Sequence, residues 1–238
     1  MRKDGFSLVE CLLGMALSLF IITSSLQFFG LAQRVFSRLK EKEEAGQSAL
    51  AALDKMRIDL LHAGRGLAGE LALGLVAAAR ATEDELRTIA LEKPLKLSGT
   101  AHAGDTRLTF VSTADIASGQ EICLSDGQTG EVRTVARVER GAVILGQPLE
   151  RDYSEASAAV SLLENVAYFL DGPARILRRR VNAGSAQPLL ENIAAAIWIC
   201  DPEARLVRVR LELSVKGAHP HETTVFLKNS SLAGNSGT

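Results

Sequence analysis

Residues 5–33 read GFSLVECLLGMALSLFIITSSLQFFGLAQ, and this stretch decides what kind of chain follows it. From Cys11 to Gln33 there are 23 positions without a charge, 15 of them apolar. Wound as a helix, the run is about 34 Å long, enough to cross the hydrocarbon core of a bilayer. Outside it the composition changes character. The whole chain of 238 residues is 47% hydrophobic and 23% charged, with a mean hydropathy of +0.11. That share of charge is too high for a polytopic membrane protein, and a positive hydropathy is unusual for a wholly soluble one. One membrane segment followed by one soluble domain reconciles the two. A net charge of −1 offers no basic face to a nucleic acid, so no direct nucleic-acid binding is expected. The content of Leu, Val, Ile and Ala excludes intrinsic disorder.

The entrance to the run decides between three kinds of N-terminal segment. A secretory signal, a plain anchor and a pilin-type leader all begin with a short basic stretch, here Arg2 and Lys3. A secretory signal also needs small residues in an A-x-A-like arrangement after the apolar region, and residues 23–30 (TSSLQFFG) offer none. Glu10 is the unusual residue, an acid at the membrane-entering end of the helix. At a helix centre an acid costs roughly 2.5–3.5 kcal/mol, less near an end, and such residues mark function. Taken alone, Glu10 could also rest at the headgroup boundary beside Lys3.

The string Gly5-Phe6-Ser7-Leu8-Val9-Glu10, followed by Cys11-Leu12-Leu13-Gly14-Met15-Ala16-Leu17, resembles the prepilin N-terminal cleavage and methylation motif. That motif belongs to type IV pilins and to the pseudopilins of type II secretion. The resemblance implies cleavage between Gly5 and Phe6 by a prepilin peptidase on the cytoplasmic side, with the new amine of Phe6 methylated. Gly5 suits a subsite that admits no side chain, and Asp4 interrupts the usual basic lead-in. For Glu10 the resemblance implies pairing with the N-terminal amine of a neighbouring subunit once the helix leaves the bilayer for a filament. A low dielectric strengthens that attraction. The implied location is the bacterial inner membrane, crossed once, with a cytoplasmic N-terminus and a periplasmic domain, and then the filament. Arg34, Arg38, Lys40 and Lys42 compete with Arg2 and Lys3 under the positive-inside rule, so orientation rests on the motif.

Beyond the run the helical pattern continues to about Leu61. No proline occurs before Pro94, and Gly30 and Gly46 weaken a helix by about 1 kcal/mol each without ending it. Ala49, Leu50, Leu53, Met56, Leu60 and Leu61 recur at spacings of three and four, an amphipathic stripe, with Asp54, Lys55 and Asp59 assigned to the wet side. Residues 40–44 (KEKEE) read as a solvated joint. The expected division is a leader over 1–5, a transmembrane and assembly helix over 6–33, its amphipathic continuation over 34–63, and a β-rich globular domain over 64–238. Residues 64–69 (GRGLAG) satisfy G-x-G-x-x-G, but a dinucleotide site needs a strand before it, and here a long helix precedes. Gly64 reads as the helix cap and the rest as a mobile connection.

A short second helix is expected over 77–91, with Thr82-Glu83-Asp84-Glu85 as its cap. From there the period changes to two. Strands are predicted at 107–112, 121–124, 131–138, 142–145, 166–170, 175–180, 197–200, 206–215 and 223–228, separated by Gly- and Pro-containing turns. The clearest alternates Val207, Val209, Leu211, Leu213 and Val215 with Arg208, Arg210, Glu212, Ser214 and Lys216. The fold class is α+β, a long N-terminal helix packed against a mostly antiparallel sheet in a pilin-like manner. Residues 59–66, 131–135, 166–172 and 223–229 further resemble segments of PilW-type minor pilins. Shaft subunits usually carry a proline partway along the membrane helix, where this chain has Gln27. The resemblance implies a minor pilin that primes or stabilises type IV pilus assembly. Its implied partners are a prepilin peptidase, other pilins or pseudopilins, the inner-membrane assembly platform and membrane lipid. A J-type minor pseudopilin of type II secretion is the alternative, and a membrane-anchored periplasmic binding domain is the reading from another class.

Catalytic chemistry is not legible. No Ser/His/Asp arrangement, phosphate loop or carboxylate pair can be argued, so no enzyme activity, cofactor or metal is expected. His219-Pro220-His221 lacks further ligands at metal spacing. Cys123 and Cys200, both on predicted strands facing an oxidising compartment, are either a disulfide or two buried thiols. Arg178-Arg179-Arg180 reads as an exposed edge.

Overall fold

One helix, α1 (Leu8–His62), runs unbroken for 55 residues in the structure, a computed structural model that describes residues 8–215 and 217–229. Its character changes partway. None of residues 8–48 is buried, whereas Ala49, Ala52, Leu53, Met56, Asp59 and Leu60 are. The predicted stripe is there, with two differences: Leu50 is 53% exposed, and Asp59, assigned to the wet side, points inward. The helix stops at Gly64, whose φ of 73° is costly for any residue with a Cβ. The Gly64 N–H donates to the Ile89 carbonyl (2.7 Å), and Asn229 Nδ2 donates to the Ala63 carbonyl (3.0 Å). A side chain from the far end of the described chain thus caps the helix. The connection after Gly64, expected to be mobile, is packed. At Gly66 a Cβ would stand 2.7 Å from the Leu91 side chain, and the short helix α2 (Ala68–Ala72) buries Glu70 and Leu71.

The helix expected over 77–91 is a hairpin of β1 (Ala79–Ala81) and β2 (Glu85–Leu95). Thr82 explains the difference. Its hydroxyl accepts the Glu85 N–H (3.1 Å), and its own N–H donates to the Glu85 carbonyl (2.8 Å). The side-chain bond that caps a helix at this spacing closes a turn equally well. Along β2, burial of Leu86, Thr88 and Ala90 alternates with half-exposed neighbours, the period of a strand.

The large sheet adds β3 (Arg107–Thr109), β4 (Glu121–Ser125), β5 (Gly130–Glu139), β6 (Ala142–Leu145) and β7 (Ala159–Asp171), in the order β1-β2-β7-β4-β5-β6-β3. β8 (Ile176–Val181) pairs with β7 and with β9 (Gln187–Leu190). A second sheet holds β10 (Ile193–Asp201), β11 (Leu206–Leu213) and β12 (His221–Phe226) in that order. Every described strand pair is antiparallel. β7 is the spine, with β2 along one edge while β4 and then β8 share the other. Each predicted strand has its counterpart; β9, four residues containing Pro188, was not anticipated.

Two cores result. In the first, Ala49, Leu53, Met56 and Leu60 of α1 meet Leu86, Tyr168 and Leu177 of the large sheet and Trp198, Val207, Val209, Leu211 and Val225 of the small one. At about 1.5–3 kcal/mol for each large side chain removed from water, this packing holds the second half of α1 on the domain. The second core lies across β4, where Ile122 and Leu124 join Val135, Val143, Leu145 and Leu162 while Cys123 faces the first. The architecture is α+β, one long helix against antiparallel sheets.

Candidate assembly site

The first half of α1 has nothing over it. Leu8, Phe20, Phe28, Phe29 and Phe36 are 68–78% exposed, part of an apolar surface far more extensive than a soluble monomer carries. Among the described residues it is the one helix long and apolar enough to cross a membrane. Glu10 sits in its first turn, where the helix dipole favours a negative charge by about 0.3–1 kcal/mol. Gly5 and Phe6, and with them the expected cleavage, lie outside the described residues.

The second half of α1 carries a polar site that sequence reasoning missed. Asp59 enters the main core with its side chain 8% exposed. Its Oδ2 accepts hydrogen bonds from Tyr168 Oη (2.5 Å) and Arg179 Nε (2.8 Å), and its Oδ1 lies 3.2 Å from Lys55 Nζ. Tyr168 and Arg179 are paired in register on β7 and β8, so one carboxylate joins the helix to two adjacent strands. Burial opposes ionisation of Asp59, but the Arg179 and Tyr168 hydrogen bonds and the Arg179 charge outweigh it, holding the carboxyl below its ordinary range. Burial and the neighbouring carboxylate push the Tyr168 phenol up. This corrects the reading of Arg178–Arg180 as an exposed edge. β8 is an interior strand, Arg179 faces the core, and Arg178 and Arg180 on the other face pair with Asp171 (2.9 Å) and Glu85 (3.6 Å).

The candidate Cys123–Cys200 disulfide is not formed; both are free thiols. They belong to different sheets, and each has its own cover. Cys123 on β4 is opposite Ser161, whose hydroxyl donates to the buried Glu70 carboxylate of α2 (2.6 Å). Burial and the Glu70 charge push the Cys123 thiol up to about 12. Cys200 on β10 lies by the Ala81 backbone of β1, and burial raises its pKa as well. His221 stands over α1 at Gly46, where a Cβ would be 3.7 Å from His221 Nε2. No group of three His, Cys, Asp or Glu able to hold a metal occurs among the described residues.

No protein-family model and no curated protein matches this chain. Three solved structures are similar in part, all bacteriophage tailspikes. They are gp61 of Pseudomonas phage phi297 (20% identity, 31% of this chain and 14% of that one, TM-score 0.28), the Gp54 tailspike of Acinetobacter baumannii bacteriophage AP22, in complex with A. baumannii capsular saccharide (11%, 32% and 15%, 0.29), and gp49 of Pseudomonas phage LKA1 (18%, 31% and 15%, 0.26). The chain spans 14–15% of the length of these proteins, and at such TM-scores the likeness carries no argument about fold or function.

Proposed function

We propose that this chain is a minor pilin of a type IV pilus, a membrane-anchored subunit that takes part in assembly of the filament. The observation that supports the reading is α1, a single helix that is bare over residues 8–48, uncharged and mostly apolar from Cys11 to Gln33, and docked from Ala49 onward. Such a helix can exchange lipid for neighbouring helices without disturbing the domain it carries, because none of its first 41 described residues (8–48) is buried in that domain. Prepilin peptidase cuts after Gly5, and the methylated amine of Phe6 becomes the partner for Glu10 of an adjacent subunit. Glu10 is tolerable in the membrane near a helix end and gains a cation in the filament, where the two charges attract in low dielectric. The domain then sits on the periplasmic side.

Glu10 provides the test. An epitope-tagged chain is expressed with a complete pilus assembly machinery, and the sheared filament fraction is blotted. Glu10→Ala is expected to be processed normally while its recovery in filaments falls by about tenfold, the equivalent of roughly 1.4 kcal/mol of lost pairing. Equal recovery of both chains would contradict the assembly role.

A further inference from the structure

The charges that follow the apolar run are sorted along the helix. Arg34, Arg38 and Lys40 come first, with no acid among residues 34–40, and Glu41, Glu43 and Glu44 follow, with Lys42 between them. At 1.5 Å of rise per residue, the three cations branch from the helix about 1.5, 7.5 and 10.5 Å beyond Gln33, and the first acid about 12 Å beyond it. The headgroup layer on each side of a bilayer core is about 5–8 Å thick. The two arginines therefore start within that layer, and the flexible stem of Lys40 reaches back into it. The acids stand outside.

Residues 31–40 are all exposed. Lys40 has an open i,i+4 pair with Glu44 (3.7 Å), and no ion pair engages Arg34 or Arg38 among the described residues. Val35, Phe36 and Leu39 interleave with them, 49–68% exposed, so the same turns offer apolar surface to acyl chains and cations to phosphates.

We propose that Arg34, Arg38 and Lys40 form a docking surface for anionic phospholipid headgroups on the domain side of the membrane, setting the depth at which α1 sits. Charge complementarity carries the proposal, together with the continuity of this surface with the apolar run. It rests on α1 crossing a membrane and not on the pilus assignment. With the orientation that the proposed function gives α1, it would also account for a cluster of cations on the side that the positive-inside rule disfavours, since lipid phosphates would hold them there.

The test uses the full chain reconstituted in phosphatidylcholine vesicles with a trace of spin-labelled phosphatidylglycerol or spin-labelled phosphatidylcholine. The fraction of each label immobilised at the protein gives their relative affinity. Phosphatidylglycerol is expected to be preferred on the order of fivefold, the preference weakening in high salt. In the Arg34→Gln/Arg38→Gln/Lys40→Gln chain it should fall to parity, with thermal unfolding of the domain unchanged. A wild-type chain without preference overturns the proposal, as does a preference that survives the triple substitution. Efficient cross-linking of Arg38→Cys to Glu43→Cys between copies, with no lipid preference, overturns it in favour of a second copy as the occupant. Failure of peptidase processing would sink the pilus reading and leave this measurement untouched.

Discussion

Asp59 is an acid on a helix face that is otherwise apolar, and its neighbours keep it charged. Removing one partner of a buried pair leaves the other uncompensated, so Asp59→Ala and Arg179→Met are each expected to cost about 3–5 kcal/mol in denaturant unfolding. The pair also makes stability depend on pH. Because the folded carboxyl titrates below its ordinary value of 3.8, its contribution is complete above that value and is lost as pH falls below it toward the lowered native one. Unfolding midpoints measured down a pH series should show this acid loss in the native chain and lack it in Asp59→Asn. The cysteines give a second expectation. With Cys123 buried and its pKa near 12, thiol reagents should modify it only as the domain opens, and the denatured chain should titrate all three cysteines as free. Loss of two thiols in a carefully oxidised preparation would contradict the geometry. Both missed features had a sequence trace. Asp59 continues the spacing of Ala52 and Met56, and Arg179 shares strand parity with Leu177 and Val181. The arginine run hid that parity, because exposure was assigned to the run and not to its alternate members.

At the scale of the element, α1 divides into side chains that hold the domain and side chains that do not. Met56→Ala is expected to cost about 2–5 kcal/mol, and Leu50→Ala less than about 0.5 kcal/mol, although both lie on the stripe read from sequence. Comparable losses at the two positions would overturn the observed rotation of the helix. Two elements legible in advance, α1 and β11, state their periodicity locally, and β6 is announced by the Gly-containing turn before it. β2 does not. It follows an alanine-rich stretch and a cap-like Thr82-Glu83-Asp84-Glu85, and its strand state is decided by pairing with β7, in which Leu86 meets Tyr168. β9 is decided the same way, by β8, in a segment too short to show a period. Residues 67–103, which lie outside the segments that carry the resemblance, contain the strand that lies along the spine of the large sheet.

The whole molecule is a folded domain on a long helix whose first half stands clear of it. Residues 8–48 contribute nothing to either core, so a chain beginning at residue 34 is expected to be soluble and to unfold at the same temperature as the detergent-solubilised full chain. A large drop, measured by circular dichroism, would mean that the membrane segment supports the domain. The division into helix and β-rich domain was readable because it is written in hydropathy and in the change of period. The presence of two cores was not, since it depends on which face of β4 each of Ile122, Cys123 and Leu124 meets. The central claim, that this helix is a pilin assembly helix, turns on the N-terminus. Intact-mass and N-terminal analysis of the chain after co-expression with an active prepilin peptidase should find residues 1–5 gone and an N-methylated Phe6 first. A chain that still begins at Met1 beside an active peptidase would contradict it.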